Sequence, residues 1–426
     1  MKKLICLFIL LSSGLLRAEG ELLSPFGYLN KMSMSLRGMA PSQDEYRDLW
    51  AAIQAGHADE FLKTQKTAYL SSTLFVEKMR VHLDDLFRLM PDSKSLLLSE
   101  GPYSSLSQSL NATDDLFTRI IAENGSWDRL LTEKTYNTFS KPSYGSNTSD
   151  EINFFSALDP KYSKVFTPQT AQEVQALEKH RLEFSPDDLR VAGVITSPRF
   201  FAHYGTTGVN KNRRRAATIF RTFLCDSMSA AVPDPGQDMN QIYNLQFPEQ
   251  AQNMTQNTMT SQEVKIEKTL NDGIHGTQKD CMSCHYKLDP MGKTLRGSQF
   301  IPSAAPWAGS LTYKTAQGSL TNIPVKGIAE LALAITKQPE YLNCQVGYFW
   351  NWFIGRDIAI TPQIQAELTR KFDEVGRRAG DFISYLLDRP EFKSRIAVDP
   401  VRATSRRVGD LFARCQSCHQ GKSGGQ

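Results

Sequence analysis

Residues 341–355 read YLNCQVGYFWNWFIG, and this stretch is the strongest indicator of fold class in the chain. Its apolar side chains recur on nearly every side of a 3.6-residue repeat, which predicts a helix that is buried all round. Gly355 follows Ile354 directly, and glycine commonly ends a helix because it adopts left-handed backbone angles at little cost. We therefore expect a buried helix from Tyr341 to Ile354 within a mainly α-helical protein.

Capping patterns predict further helices along the chain. Ser42 and Glu45 form a capping box ahead of an apolar helical stripe, in which each residue satisfies a free backbone N–H of the first turn. Thr361 and Ser185 each precede a proline, which places a capping hydroxyl before a proline at the first helical position. These patterns predict helices that begin at 43, 186 and 362.

One stretch has the pattern of strands. Residues 310–321 alternate between apolar and polar side chains and contain Gln317-Gly318, a typical turn sequence. This pattern predicts a small β-hairpin. The predicted fold class is therefore mainly α, with multi-helix domains and one small hairpin.

Length and composition set limits on the class of protein. The chain has 426 residues, of which 40% are hydrophobic and 22% are charged, as is usual for globular proteins of two or three domains. Lys2, Lys3 and Arg17 lie in a predicted leader without acidic residues, so the formal charge falls from +4 to +1 when the leader is excluded. This small excess argues against a nucleic-acid binder that depends on overall charge.

Residues 1–18 have the features of a secretory signal peptide. A basic start is followed by an apolar stretch from Leu4 to Leu16, and Ala18 is a small residue at which cleavage before Glu19 is possible. The apolar stretch is shorter than the roughly 20 residues of a membrane-spanning helix, and no later stretch approaches that length. We expect a periplasmic or otherwise exported protein without a transmembrane segment in its mature chain; an uncleaved N-terminal anchor is the alternative.

Two short motifs predict covalently bound haem. CMSCH at residues 281–285 and CQSCH at residues 415–419 both match C-x-x-C-H, the signature of c-type haem attachment. The two thiols of such a motif bond to the haem vinyl groups, and the adjacent histidine becomes the proximal ligand of the iron. The predicted haem c sites are Cys281, Cys284 and His285 for the first haem, and Cys415, Cys418 and His419 for the second.

Two other uses of these cysteines fit the sequence less well. A thioredoxin-like redox pair needs a βαβ setting, which the sequence does not indicate around either motif. A zinc site formed by both pairs would join ligands more than 100 residues apart in sequence, unlike a compact zinc module. Haem attachment is the hypothesis that fits both motifs and the predicted export.

The second motif lies in a different setting from the first. Val408, Leu411 and Phe412 precede Cys415 at helical spacing, and this segment resembles the opening helix of a class I cytochrome c domain. Such a domain needs a long continuation that covers the haem, but only seven residues follow His419. The segment is therefore either a shortened cytochrome domain or depends on the rest of the protein or on a partner to cover its haem.

The distal ligand of the first haem can be argued from reach. Met291 lies six residues after His285, a span of about 20 Å at most, which barely rounds the edge of the macrocycle. His275 lies ten residues before His285 and can reach about 33 Å, so we prefer His275. An open or water-filled sixth site is the rival. His82 lies on an apolar helical stripe and is expected to be a core histidine.

A basic run begins the helix that is predicted after residue 210. Lys211, Arg213, Arg214 and Arg215 precede a buried apolar stripe. We expect a solvated basic helix end, and the alternative is an arginine that pairs with haem propionates.

The remaining cysteines predict one disulfide. Of seven cysteines, Cys6 lies in the leader and four lie in the haem motifs, which leaves Cys225 and Cys344. In an oxidising compartment an even remainder favours pairing. Both residues lie near the ends of apolar helical stretches, where burial against each other is plausible. Two unrelated buried thiols are the alternative.

Four stretches together resemble a known family, the multidomain exported haem proteins of planctomycete type, which are built from domains of unknown function. The stretches are SLRGMAPSQDEYRDL at 35–49, RVAGVITSPRFFAHYGTTGVNKNRRRAATIFRTFLC at 190–225, HGTQKDCMSCHYKLDPMG at 275–292 and GIAELALAITKQPEYLNCQVGYFWNWFIGR at 327–356. The third includes His275 at the matching place before the motif and Asp289-Pro290 after it. The resemblance implies a helical fold and haem, but it does not imply a reaction.

Polar breaks and the motifs together suggest a domain organisation. Residues 137–150 are rich in Ser, Asn, Gly and Pro, and residues 231–262 are rich in Pro, Gln and Asn. The predicted parts are a signal peptide at 1–18, an N-terminal helical domain at 19–150, a central helical module at 151–230, a polar linker at 231–262, a haem-binding module with terminal helices at 263–398, and a short C-terminal segment with the second motif at 399–426.

The sequence supports three functional hypotheses. The first is a c-type cytochrome-like protein that carries electrons to or from a redox partner protein, with His285 as proximal ligand. The second is a haem enzyme, of peroxidase or oxidase type, whose first haem keeps an open distal face. The third is a scaffold protein with structural haem. No catalytic residue can be assigned from the sequence.

Overall fold

The computed structural model describes residues 21–88, 112–137, 181–204, 211–226, 279–296, 305–315 and 317–394. For residues 279–285 it describes the course of the backbone. Helices dominate this part of the chain, as the sequence predicts, and two pairs of short antiparallel strands complete it.

The helices are α1 Pro25–Arg37, α2 Gln43–Gln54, α3 Ala58–Leu70, α4 Thr73–Phe87, α5 Ala112–Ala122, α6 Arg129–Thr132, α7 Pro198–His203, α8 Lys211–Phe223, α9 Lys279–Thr294, α10 Gly327–Thr336, α11 Pro339–Phe353, α12 Pro362–Glu374, α13 Ala379–Asp388 and α14 Pro390–Lys393. A 3₁₀ turn, Gly193–Thr196, precedes α7. The strands are β1 Thr135–Asn137, β2 Arg181–Glu183, β3 Ala308–Lys314 and β4 Leu320–Lys326, paired as β1–β2 and β3–β4.

Two of the three capping predictions are confirmed. At the start of α2, the Ser42 side chain accepts a hydrogen bond from the Glu45 N–H, and the Glu45 carboxylate accepts one from the Ser42 N–H. At the start of α12, the Thr361 hydroxyl accepts from the Ile364 N–H at 3.2 Å. The prediction at Ser185 is wrong: its carbonyl accepts from the Asp188 N–H, and the Asp188 carboxylate then binds Arg190. The Asp188 carboxylate accepts hydrogen bonds from the backbone and the side chain of Arg190, and this stabilises a turn in place of the first turn of a helix.

The predicted hairpin is confirmed and extends further than the sequence pattern indicates. β3 and β4 are antiparallel, with Leu311 opposite Ile323 and Ala308 opposite Lys326. Gly318 lies in the turn at a φ of 84°, a left-handed conformation that favours glycine. Leu311 is fully buried, so the hairpin presents its first strand to the core.

The predicted buried helix is α11, which ends before Gly355 as expected. Phe349 is fully buried, and its ring centroid lies 4.8 Å from that of Trp127, 5.6 Å from that of Phe372 and 5.5 Å from that of Phe382. These rings come from the loop before α6 and from α12 and α13. α11 is therefore largely buried, because apolar partners pack against it from several elements. It is not buried all round as predicted, since Asn343 and Asn351 are exposed.

Side chains of α11 satisfy the C-terminal carbonyl groups of α8. The Gln345 amide donates to the carbonyl oxygens of Thr222 at 3.2 Å and Phe223 at 3.3 Å, and the Tyr348 hydroxyl donates to that of Arg221 at 3.1 Å. The last carbonyl groups of a helix have no hydrogen-bond partner within the helix. The two side chains of α11 supply donors to these carbonyl groups of α8, so they are not left buried without a partner. The position of α8 is therefore tied to α11.

The two cysteines left over by the sequence arithmetic lie together at the same place. Cys225, two residues after the end of α8, and Cys344 of α11 have Cα atoms 5.3 Å apart and are joined as a disulfide pair. Cys344 is 3% exposed, whereas Cys225 is exposed and adopts a left-handed φ of 52°. The separation is within the usual range for disulfides.

The beginning and the end of the described chain meet. The Leu23 N–H donates to the Lys393 carbonyl at 2.8 Å, and the Tyr28 hydroxyl donates to the Leu387 carbonyl at 3.2 Å. The buried apolar side chains, from Tyr28 to Phe392, form one connected cluster. Among the described residues, no helix is long and apolar enough to cross a membrane.

β3 approaches α9 closely at Gly309. A Cβ atom on Gly309 would overlap the carbonyl oxygen of Pro290 and would lie 2.7 Å from the Thr294 methyl carbon. Only a residue without a Cβ permits this approach. β3 therefore packs directly against the second half of α9.

Removing the disulfide should lower stability substantially. The bond closes a loop of 119 residue steps, for which the chain-entropy model gives about 4–5 kcal/mol as an upper value. We expect Cys344→Ala to lower the free energy of unfolding by up to this amount in denaturant titrations. Peptide mapping of the unreduced protein should also yield a linked Cys225–Cys344 peptide. Alkylation of both thiols in unfolded, unreduced protein would contradict the bond.

A methyl group at Gly309 should separate β3 from α9. We expect Gly309→Ala to lower the free energy of unfolding by about 1–3 kcal/mol, the usual cost of overpacking. Gly347→Ala is the matched control, because a Cβ atom on Gly347 of α11 meets nothing within 4 Å. The control should leave stability unchanged or raise it slightly, since alanine favours helices. Equal effects of the two substitutions would contradict the close approach.

Candidate functional site

The first haem motif lies in the N-terminal half of α9. Its five residues, 281–285, are helical. With 3.6 residues per turn, Cys281 and His285 are one turn apart on the same face, and Cys284 is adjacent to that face. The helix thus brings together the two thiol positions and the histidine position that the sequence assigns to the first haem.

The C-terminal half of α9 is buried. Leu288 is 9% exposed, and Met291 and Leu295 are fully buried in the apolar core. Met291 therefore packs as a core residue. The buried half fixes the helix to the rest of the fold, and the half with the motif continues from it.

Two ion pairs connect α9 to α8 and to the residues just after its end. The Arg213 guanidinium binds the Asp289 carboxylate through Nε at 2.6 Å and Nη2 at 3.0 Å, and the Lys287 ammonium lies 2.6 Å from the Asp226 carboxylate. Asp289 and Lys287 have side chains that are 6% and 3% exposed. Charges this deeply buried are tolerated only in such pairs. The pairs therefore fix α9 on α8 near the motif.

The expectation of a solvated basic end on α8 is wrong for two of its arginines. Arg215 is fully buried, with its guanidinium 3.9 Å from the centroid of the Phe201 ring and a hydrogen bond of 3.0 Å to the Phe201 carbonyl. Burial lowers the pKa of Arg215 to about 9. Arg213 pairs with Asp289, and Arg214 alone of the three is exposed. The long apolar stem of arginine allows it to pack inside while its charge finds a partner.

His82 lies in α4, far from the first haem motif in sequence, and packs against α11. Its ring is stacked on that of Trp352, with centroids 4.9 Å apart and planes at 16°. Within the described part of the chain, its Nε2 atom is buried and has no hydrogen-bond partner. Burial lowers the pKa of His82 to about 4, with a further lowering by the nearby Lys78 ammonium. The ring is therefore neutral at pH 7 and behaves as an aromatic packing group.

The remaining predicted ligands cannot be placed. His275 and the second motif, Cys415, Cys418 and His419, lie outside the described residues. Within those residues, no group of three or more His, Cys, Asp or Glu side chains is arranged to hold a metal ion. All of the haem ligands, those of the first motif included, therefore stay sequence predictions.

Sequence reasoning missed the two ion pairs that fix α9. Asp289-Pro290 stood out only as part of the family-like pattern after the first motif, and Asp226 and Lys287 had no distinguishing context. The partners are 76 and 61 residues apart in sequence, so no local pattern connects them. Single charges become recognisable as partners only when the helices are packed.

Comparisons of this chain with protein-family models, with curated proteins and with solved structures each find no match. The resemblance to the exported haem proteins therefore stays a hypothesis based on the quoted motifs, and the case for function depends on the residues of this chain.

Proposed function

We propose that this chain is an exported c-type haem protein that transfers electrons to or from a redox partner protein. The observation that carries the proposal is the C-x-x-C-H motif at 281–285 within the firmly packed helix α9. The second motif, at 415–419, supports the same chemistry on sequence grounds.

The donor set of α9 fits a c-type haem. A helix rises 1.5 Å per residue, so Cys281 and Cys284 are separated by about 4.5 Å along the axis, with His285 next to the second thiol. Cys281 and Cys284 would hold the haem covalently, and His285 would be the proximal ligand. The haem would supply one-electron chemistry, while the protein fixes the ligands and tunes the iron through burial and charge.

The pairing of the other cysteines also favours this proposal. Cys225 and Cys344 are next to each other in the fold, so neither is an obvious partner for a thiol of the motifs. In an exported protein, unpaired thiols are unusual. Haem attachment would account for the four motif cysteines without any free thiol.

The firm packing of α9 suits electron transfer. Buried apolar side chains and two buried ion pairs fix its second half, so a haem on its first half would keep its surroundings when the iron changes charge. Small rearrangement on reduction and oxidation favours fast electron exchange. The alternative, a haem enzyme, needs an open distal site on the first haem.

The number of haems is the first test. We expect two covalent haems in protein that is exported by a host with c-haem maturation, measured by intact mass and the pyridine haemochrome assay. Replacing Cys281 and Cys284 by Ala should remove one haem, and replacing Cys415 and Cys418 should remove the other. The Cys225→Ser, Cys344→Ser variant is the control and should keep both. A wild-type protein without haem would refute the proposal.

Coordination of the first haem is the second test. In a Cys415→Ala, Cys418→Ala background, only the first haem remains, and its reduced spectrum should be six-coordinate and low-spin. His275→Ala should create an open site that binds carbon monoxide readily, because the distal ligand is lost.

His57→Ala is the matched control, because His57 is exposed before α3 and makes no capping hydrogen bond. It should leave the spectrum unchanged. An unchanged spectrum in His275→Ala would exclude His275 as the ligand. Ready carbon monoxide binding before any substitution of His275 would favour the haem-enzyme alternative.

A further inference from the structure

A cleft lies where the two ends of the described chain meet. It is bounded by the start of α1, by α3 and by the ends of α13 and α14, and its volume is about 390 Å³, within the range of small-molecule sites. We call it the end cleft; Leu22, Tyr28, Leu62, Lys66 and Asp388 line it together with their neighbours. One side of the end cleft is apolar, and the other is charged.

Backbone contacts hold the apolar side of the end cleft in place. Leu22 forms an antiparallel bridge with Ser394, and the Leu23 N–H donates to the Lys393 carbonyl at 2.8 Å. The Leu22 residue is nevertheless 70% exposed, so a large apolar side chain lies at the rim of the cleft on a fixed backbone. A wall of this kind can cover the apolar part of a ligand without the cost of ordering a loop.

The charged side contains more ammonium groups than carboxylates. The Lys66 ammonium lies 2.5 Å from the Asp388 carboxylate, and the Lys393 ammonium lies 3.4 Å from the same carboxylate. Lys63 also lines the cleft and forms no ion pair with any described residue. Asp59, the other carboxylate of the lining, lies in the first turn of α3, where the helix dipole favours a negative charge. The lining therefore has three positive and two negative side chains.

The Lys66 ammonium has a further donor beside the cleft. Its side chain is only 9% exposed, and an ammonium has three N–H donors. Among the described residues, two acceptors lie within hydrogen-bond distance: the Asp388 carboxylate at 2.5 Å and the Ser384 carbonyl at 3.4 Å. A buried donor without an acceptor costs free energy, and an anionic oxygen in the cleft would supply the third acceptor.

An apolar wall beside an excess of ammonium groups matches an amphipathic anion. We propose that the end cleft binds a small carboxylate with an apolar chain. The carboxylate lies beside Lys63 and Lys66, and the apolar chain lies along the Leu22 side of the cleft. The ammonium groups attract the charge, and burial of the chain supplies most of the binding free energy. Because the cleft joins α3 to both ends of the described chain, the bound molecule also stabilises the folded protein.

Calorimetric titration of the exported protein with octanoate tests this proposal. We expect one site per chain. Acetate lacks the apolar chain and octyltrimethylammonium has the opposite charge, so each should bind at least about tenfold more weakly than octanoate. No binding of octanoate, or equal affinity for either comparison compound, would overturn the proposal.

Lys63→Glu tests the charged side. It replaces an attraction by a repulsion at an exposed position, so we expect octanoate to bind about tenfold more weakly in a correctly folded protein. Lys337→Glu is the matched control, because Lys337 is an exposed lysine at the end of α10, outside the cleft, and the change in net charge is the same. The control should keep the wild-type affinity. Equal affinities of the two variants would overturn the proposal.

Leu22→Ser tests the apolar side. The side chain lies at the rim, so its loss should leave the fold intact and weaken octanoate binding by about two- to fivefold. Unchanged octanoate binding in this variant would overturn the placement of the apolar chain. None of the residues that line the end cleft belongs to a haem motif, so failure of octanoate to bind and absence of haem are separate results.

Discussion

The buried amide of Gln345 is the contact on which the arrangement of the helices depends. Its nitrogen donates to two terminal carbonyl groups of α8, and its oxygen accepts from the indole N–H of Trp127 at 2.9 Å. It is 1% exposed, so water cannot replace any of these partners. One side chain thus provides hydrogen-bond partners for the last carbonyl groups of α8 and for the indole N–H of Trp127. α8 can end inside the protein because α11 supplies these partners.

The position of α8 in turn fixes the position of α9, the helix that contains the first haem motif. Cys225 and Asp226 directly follow the end that Gln345 satisfies, and Asp226 binds Lys287 of α9. At the other end of α8, Arg213 binds Asp289. The motif helix is therefore held at the start of α8 and just after its end, and that end is itself fixed. A site that holds a ligand firmly requires support of this kind around it.

Local sequence patterns predict local structure well. They predict a contact between distant residues only where eliminating the other candidates leaves one possible pair. The capping box at Ser42 depends on residues three apart, and so the sequence contains all of its information. Cys225 and Cys344 were predicted because no other cysteines remained. The sequence predicts Arg215 in solvent because arginine is charged. In the structure its guanidinium donates to the carbonyl groups of Phe201 and Leu295, which lie in other segments of the chain. The haem ligands are predicted from spacing alone, and the ion pairs that fix α9 have no signal in the local sequence.

The meeting of the two ends of the described chain has a consequence for the order of folding. The Lys31 ammonium binds the carbonyl of Phe392, which follows it by 361 residues, and Leu23 pairs with the residue after that. A ribosome makes the first partner long before the second. α1 can pack early on the helices that follow it, as in the Lys78 hydrogen bond to the Met34 carbonyl, but its contacts with the end of the chain have to wait for nearly the whole chain. Closing so long a loop is slow, and in the meantime the part of α1 that contacts the end of the chain is exposed to other chains. The fold therefore closes late, and by then the segment at 281–285 has already been made.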